Sequence, residues 1–199
     1  MKDKNGFNEL KANKKLQGKS QFVDDDFRMA YDWMVYQMNK RLKVQNSNSS
    51  KYPVWAWYQW RGTKRRKPDL RCSGYAEKGT KLYRIEFEIE EDKVLLSNFD
   101  LFHYVLNYWY LPKNEEDDNL FYREMDKNNI TLFDLQNFNK NSKELNKLRA
   151  KVKESWNLIF DLDRYDEYIN GTENEKSIQA TICELRWESV VDVKEFIAR

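Results

Sequence analysis

Three tryptophans set just before a run of cations are the residues in this sequence whose types and spacing best suit ligand chemistry. Trp55, Trp57 and Trp60 fall in the stretch YPVWAWYQW, residues 52–60. The next eleven residues, Arg61 to Arg71, carry six cations (Arg61, Lys64, Arg65, Arg66, Lys67 and Arg71) against one acid, Asp69. Indole rings stack on bases and arginine forks grip phosphates, so Trp55 and Trp57 are candidate stacking residues and Arg71 a candidate phosphate ligand. In Asp69-Leu70-Arg71, directly after Pro68, the acid stands where it can orient the arginine in an extended turn. The competing reading makes the tryptophans core, because alternating aromatics in a strand usually pack inward, and makes the basic stretch a solvated loop.

His103 is the only imidazole, and hence the default acid or base near neutral pH. Its setting, Leu101-Phe102-His103-Tyr104-Val105-Leu106, favours a hydrogen-bonded core histidine instead. Pro68-Asp69 followed by Glu86-Phe87-Glu88 is similar to the PD-(D/E)xK pattern of metal-dependent nucleases, where two carboxylates hold a divalent ion and a lysine activates water. Here Glu88 stands where that pattern has lysine. Cys72, Cys183 and His103 are one ligand short of a closed zinc site, so no metal site is expected. Two unclustered cysteines fit reduced thiols in the cytoplasm. No nucleophile assembles around a single histidine, and the six glycines form neither G-x-x-x-x-G-K-[ST] nor G-x-G-x-x-G. Triad hydrolases and P-loop nucleotide hydrolases are therefore disfavoured.

The elements that must position these residues follow from patterning. The chain has 199 residues with 15% aromatic and 34% charged content, so it holds enough large rings to form a core despite a mean hydropathy of −0.95. A net charge of +2 announces no partner, but the basic loop and the acidic run Glu115–Asp118 are local extremes. No segment is long and apolar enough to cross a membrane. Phe27, Tyr31, Met34, Met38 and Leu42 predict a helix, ended by the polar run 45–50. The stretch 52–60 predicts a strand covered on two faces or lining a cleft. Leu82–Glu90 alternates strictly and predicts a half-buried strand. Val94–Leu96 predicts a short strand, and Ser97 with Asp100 a capping box opening a helix that stops before Pro112. An acidic loop at 115–118, a short helix over 130–138 and a helix capped by Ser142 come next. Ile178–Trp187 reads as a strand, and Ser189 with Asp192 as the start of a terminal helix. Residues 1–20 read as a flexible or loosely packed segment of a single domain spanning 1–199. Asn170-Gly171-Thr172 reads as a turn.

Five ordered segments carry a resemblance: AYDWM from Ala30, YPVWAW from Tyr52, KPDLR from Lys67, VLLSNFDLFHYVLN from Val94 and SWNLIFDL from Ser155. They resemble a bacterial and phage family catalogued as domain of unknown function 3841, which brings no established activity. The order of YPVWAW, Val94–Leu96 and Ile178-Gln179-Ala180 is also similar to compact ADP-ribosyltransferase-like domains. That resemblance implies an α+β fold with a small, mostly antiparallel sheet, split in that family, flanked by helices, and implies NAD as cofactor. It places Gln179 near the glutamate that polarises the ribose there, and a neutral amide cannot stabilise oxocarbenium charge as a carboxylate does. Glu184 is the next carboxylate, five residues on.

The expectation is a cytoplasmic α+β domain with a cleft for a nucleotide, NAD or a nucleic acid. In it Trp55 and Trp57 stack, Arg71 holds phosphate, Asp69 orients Arg71, and Gln179 and His103 are the catalytic candidates. The alternative is a non-enzymatic phage or mobile-element protein that binds a host protein through the basic loop and the acidic run; a metal-dependent nuclease is third.

Overall fold

The alternation of Tyr83, Ile85 and Phe87 with Arg84 and Glu86 produces a strand, β4 (Lys81–Phe87), that recruits partners from far along the chain in both directions. The computed structural model describes residues 1–42, 52–62, 67–72, 76–165, 167–170 and 176–199. In it β1 (Lys2–Asp3) and β8 (Val190–Ile197) flank β4 in the order β1-β4-β8, and both pairings are antiparallel. The β4–β8 register runs from Lys81 opposite Ile197 to Glu86 opposite Asp192, with an irregularity between Glu86 and Phe87. Cross-strand charge follows the register: Lys81 meets Glu195 at 2.8 Å and Arg84 approaches Asp192 at 3.8 Å.

Residues 190–197 correct the expected terminal helix. Val190, Val191, Val193 and Ile197 are β-branched and stiff at χ1, which suits a pleated ladder better than a helix. The open edge of β4 supplies the backbone partners that a helix would have found internally.

The chain divides into two compact units, one made of Met1–Trp57, Lys67–Leu95 and Ala180–Arg199 and the other of Tyr58–Arg66 and Leu96–Gln179. The first unit contains the β1-β4-β8 sheet, helices α1 (Lys4–Asn13) and α2 (Arg28–Arg41), and a ribbon of β2 (Lys15–Leu16) and β7 (Leu185–Arg186). Asp3 caps α1 by accepting from the Gly6 N–H at 2.8 Å. Residues 1–20 thus hold two strands and a helix, and Leu10 is wholly buried beside Leu16, Val54, Ile182 and Leu185. Phe7 of α1 stacks on Tyr83 at 4.3 Å, while Ala30, Met34 and Met38 make the buried face of α2.

A three-stranded sheet has the order β3 (Val54–Gln59), β6 (Ile178–Ile182), β5 (Val94–Asn98). Every residue of β6 is buried, which explains its apolar and small-polar composition.

The second unit is mainly helical: α3 (Phe99–Leu106), α4 (Glu115–Lys127), α5 (Leu132–Gln136), α6 (Lys143–Ser155) and α7 (Glu167–Asn170). Leu101, Phe102, Val105, Phe121, Met125, Leu148, Val152 and Trp156 are among its buried side chains. Arg149 of α6 closes the end of α5 by donating to the carbonyls of Asp134, Leu135, Asn137 and Lys140.

Two further expectations change here. The acidic run 115–118 is the first turn of α4, capped by Asn114, and its carboxylates face the positive end of the helix dipole. Helix α3 is capped by Asn98, whose side chain accepts from the N–H groups of Asp100 and Leu101; Ser97 is buried in β5 and takes no part. The polar run 45–50, Lys64–Arg66 and Gly171-Thr172 lie outside the described residues.

Gly18 bridges Tyr52 in the first unit, and a Cβ there would sit 2.3 Å from the Tyr52 carbonyl oxygen and 2.8 Å from that of Pro53. Backbone cannot yield as a side-chain tip can. Gly18→Ala is expected to destabilise the protein by about 1–3 kcal/mol, read as a lowered urea midpoint at unchanged slope.

Candidate functional site

Burying a polar side chain costs free energy unless it is paired, so places where such side chains concentrate are places where the fold spends stability on arrangement. Among the described residues eight polar or charged side chains are buried, and six of them, Gln59, Ser97, Asn98, Lys176, Ser177 and Gln179, belong to the second unit. They lie at the end of β3, the end of β5 and the start of β6.

Their bonds have a single direction of effect. Gln59 Nε2 and the Gly62 N–H both donate to the Lys176 carbonyl at 3.1 Å. The Arg61 N–H donates to Ser177 Oγ at 3.1 Å, and the Phe99 N–H to the Ser177 carbonyl at 2.9 Å. Lys176 Nζ donates to the carbonyls of Leu162 and Arg164 at 2.7 and 3.1 Å. The network fixes the turn after β3 and the first turn of α3.

That turn is strained. Arg61 has φ 45° and Gly62 φ 115°, and a non-glycine residue in the left-handed region costs of order 1 kcal/mol or more. The gain is orientation: the Arg61 guanidinium lies over the Trp60 ring, 5.5 Å from its centroid. Asp100, on the first turn of α3, is within electrostatic reach of both Arg61 and His103. Burial raises the Asp100 carboxyl above the usual carboxylate range, and the Ser177 backbone, His103 and Arg61 only partly offset it.

His103 is exposed, which corrects the expectation of a core histidine. Its Nδ1 lies 3.2 Å from the carbonyl oxygens of both Phe99 and Asp100. Carbonyls only accept, so Nδ1 is the donor in this contact, and in the neutral ring Nε2 is then the acceptor. The ring edge packs on Phe99, centroids 5.1 Å apart. Arg61, Asp100 and His103 thus form an exposed set of one cation, one carboxyl and one imidazole on a buried polar frame.

Other sequence candidates are engaged in local pairs. Gln179 is buried, and its Nε2 donates to Ser97 Oγ at 3.1 Å, tying β6 to β5. In the first unit Trp55 meets Tyr31 of α2 edge-on at 5.5 Å, with Tyr52 at 6.1 Å from the same ring; Trp57 is half-buried in β3. Arg71 and Asp69 form a two-point fork, Nε to Oδ1 and Nη2 to Oδ2 both at 2.8 Å, and the Arg71 carbonyl accepts from the Arg199 N–H. Asp69 and Arg71 are thus paired with each other. The Arg71 fork holds the Asp69 carboxyl down at about 2. Gln179 and His103 belong to the second unit, whereas Trp55, Trp57, Asp69 and Arg71 belong to the first.

The carboxylates of the nuclease pattern are also engaged. Lys67 meets Glu86 at 2.5 Å and Arg84 meets it at 2.8 Å, which lowers the Glu86 pKa, Lys67 first. Among the described residues no group of three histidine, cysteine or acidic side chains is placed to hold a metal ion. A cavity of about 690 Å³ in the first unit is lined by Glu88, Glu90, Lys93, Cys183, Glu184 and Arg186, among others. Its charges pair internally, Lys93 with Glu90 and Arg186 with Glu184, both at 2.7 Å; Glu184 also accepts from Gln17 Nε2 at 2.8 Å.

Arg61 stood in the basic run, but nothing in the spacing set it above Arg71. The one local sign was Arg-Gly directly after a strand, the dipeptide of a tight positive-φ turn. Asp100 was legible only as a capping residue.

The fold and site define a mixed α+β domain with small sheets and a mainly helical unit. Over residues 1–191 the chain matches the family described as Domain of unknown function (DUF3841), and it belongs to that family. No curated protein and no solved structure matches it.

Two outcomes test these assignments. The Asp69 carboxyl is expected to titrate near pH 2 by NMR and to return toward the ordinary value of about 3.9 in Arg71→Ala. Because the folded pKa is the lowered one, the fork contributes stability above the unfolded pKa and loses it as pH falls toward 2. Gln179→Ala leaves a cavity and strands the Ser97 hydroxyl; a loss of about 1–3 kcal/mol in chemical unfolding is expected.

Proposed function

We propose that this protein binds a phosphate-bearing nucleotide in its second unit, with Arg61 as the phosphate ligand. The observation that carries this reading is the spending of buried polar side chains and a strained backbone on one exposed arginine. A guanidinium preset by its turn and by the Trp60 ring loses less freedom on binding than a free surface arginine. Asp100 suits a ribose hydroxyl, since a carboxylate accepts from two vicinal hydroxyls. His103 offers Nε2 as an acceptor on the same helix turn.

The reading keeps the nucleotide expectation and moves its centre. Arg71 is forked onto Asp69, whereas the Arg61 guanidinium rests on the Trp60 ring, so Arg61 takes the role proposed from sequence for Arg71. NAD is one member of the ligand class. The likeness to ADP-ribosyltransferases rests on the order of three sequence segments alone, and the buried Gln179–Ser97 bond supports a packing role for Gln179 rather than ribosyl transfer.

The test is a titration of NAD, ADP-ribose, ADP and inorganic phosphate followed by tryptophan fluorescence. ADP and ADP-ribose are expected to change the signal. Arg61→Ala is expected to weaken them by about 10–100-fold, the worth of one charge-assisted hydrogen bond. Arg71→Ala is expected to leave binding unchanged. Silence from every ligand at millimolar concentration, or an unaltered response in Arg61→Ala, sinks the proposal.

A further inference from the structure

Large aromatic side chains are rarely left exposed together without a use, and the second unit exposes several around one carboxylate. Trp109, Tyr122 and Tyr168 are 45%, 44% and 53% exposed. Tyr122 follows Asp118 by four residues on α4, so the two share one stripe of that helix. The Tyr168 hydroxyl donates to Asp118 Oδ2 at 2.8 Å. Tyr104 of α3 packs edge-on against Trp109, centroids 6.1 Å apart, and it feels the charge of Asp118 and the neighbouring Tyr122.

The acids of this turn are not equivalent. Asp117 accepts from the Tyr110 hydroxyl at 2.9 Å and from the Lys113 N–H at 2.8 Å, so it braces the entry to α4. Asp118 accepts only the Tyr168 hydroxyl and its own helix contacts, and no cation is paired with it among the described residues. Arg164, the nearby cation, donates to the carbonyls of Pro112 and Lys113.

We infer that Asp118 with Tyr104, Trp109, Tyr122 and Tyr168 is a docking site for an arginine side chain of a partner protein. Sign and shape both select the occupant. The carboxylate and the acids of the same helix turn, Glu115 and Glu116, call for a cation, and ring faces favour a weakly hydrated, planar one. A lysine ammonium is more strongly hydrated and gains less from the rings. This inference does not depend on nucleotide binding at Arg61.

The test uses the full chain with two peptides of equal charge, hexa-arginine and hexa-lysine, followed by the Trp109 indole signal in NMR and by calorimetry. Hexa-arginine is expected to bind at least about fivefold more tightly than hexa-lysine. Asp118→Asn and Tyr122→Leu are each expected to reduce arginine binding about fivefold and to narrow the gap between the peptides. Arg61→Ala is expected to leave it intact. Tyr122 is exposed and Asp118 half-buried, and far-ultraviolet circular dichroism checks that both variants fold. Equal affinity for the two peptides, an unmoved Trp109 signal, or unchanged binding in both variants overturns the inference, because each indicates at most diffuse attraction to acidic helix ends.

Discussion

The dipeptide Lys176-Ser177 is the point on which the second unit depends. Two carbonyls and one hydroxyl there receive the Gln59 amide and the N–H groups of Arg61, Gly62 and Phe99. Left unpaired, the buried Gln59 amide alone would cost about 1–3 kcal/mol. One short segment therefore decides the path of the chain after β3 and the start of α3 at once. The exposed side chains of Arg61 and His103 are thus arranged by groups buried beneath them. This division lets a surface arginine be rigid, with the strain at φ 45° met by bonds within the buried frame.

Charge on this protein means different things in different places. Asp69 and Arg71 close on each other within three residues, and Lys67 and Arg84 share Glu86; such exposed pairs contribute little stability and little recognition. Arg61 and Asp118 differ because the side chains around them are aromatic. A ring excludes water from one side of a charge, raising its interaction with a ligand without adding a counter-charge that competes for it.

Much of the fold was legible because period reports burial. Met34 and Met38 marked α2, and alternation marked β4. The failures share a cause. Ser189 and Asp192 have the spacing of a cap, yet the open edge of β4 and the valines between them made a strand. Glu115–Asp118 reads as a solvated run, yet the positive end of a helix is where four acids are tolerated. Ser97 and Asn98 are adjacent possible caps, and burial in β5 chose the second. Capping patterns are local, whereas pairing partners more than a hundred residues away are not. The site was half-legible for the same reason: His103 could be named from the residues and Arg61 only as one cation of the basic run, because the Lys176-Ser177 frame that gives Arg61 its place is distant in sequence.

The placement of β4 between residues 2–3 and residues 190–197 has a consequence for how the protein comes into being. A ribosome adds about 5–20 residues per second, so β4 waits several seconds, with one edge bare, for the strand that completes it. The helices of the second unit depend mainly on contacts closer in sequence and are synthesised during that wait. In the nascent chain the exposed edge of β4 is an opening for a chaperone or for mispairing. The alternation of Arg84 and Glu86 with its apolar residues guards that edge, since charged side chains discourage a foreign strand until β8 arrives.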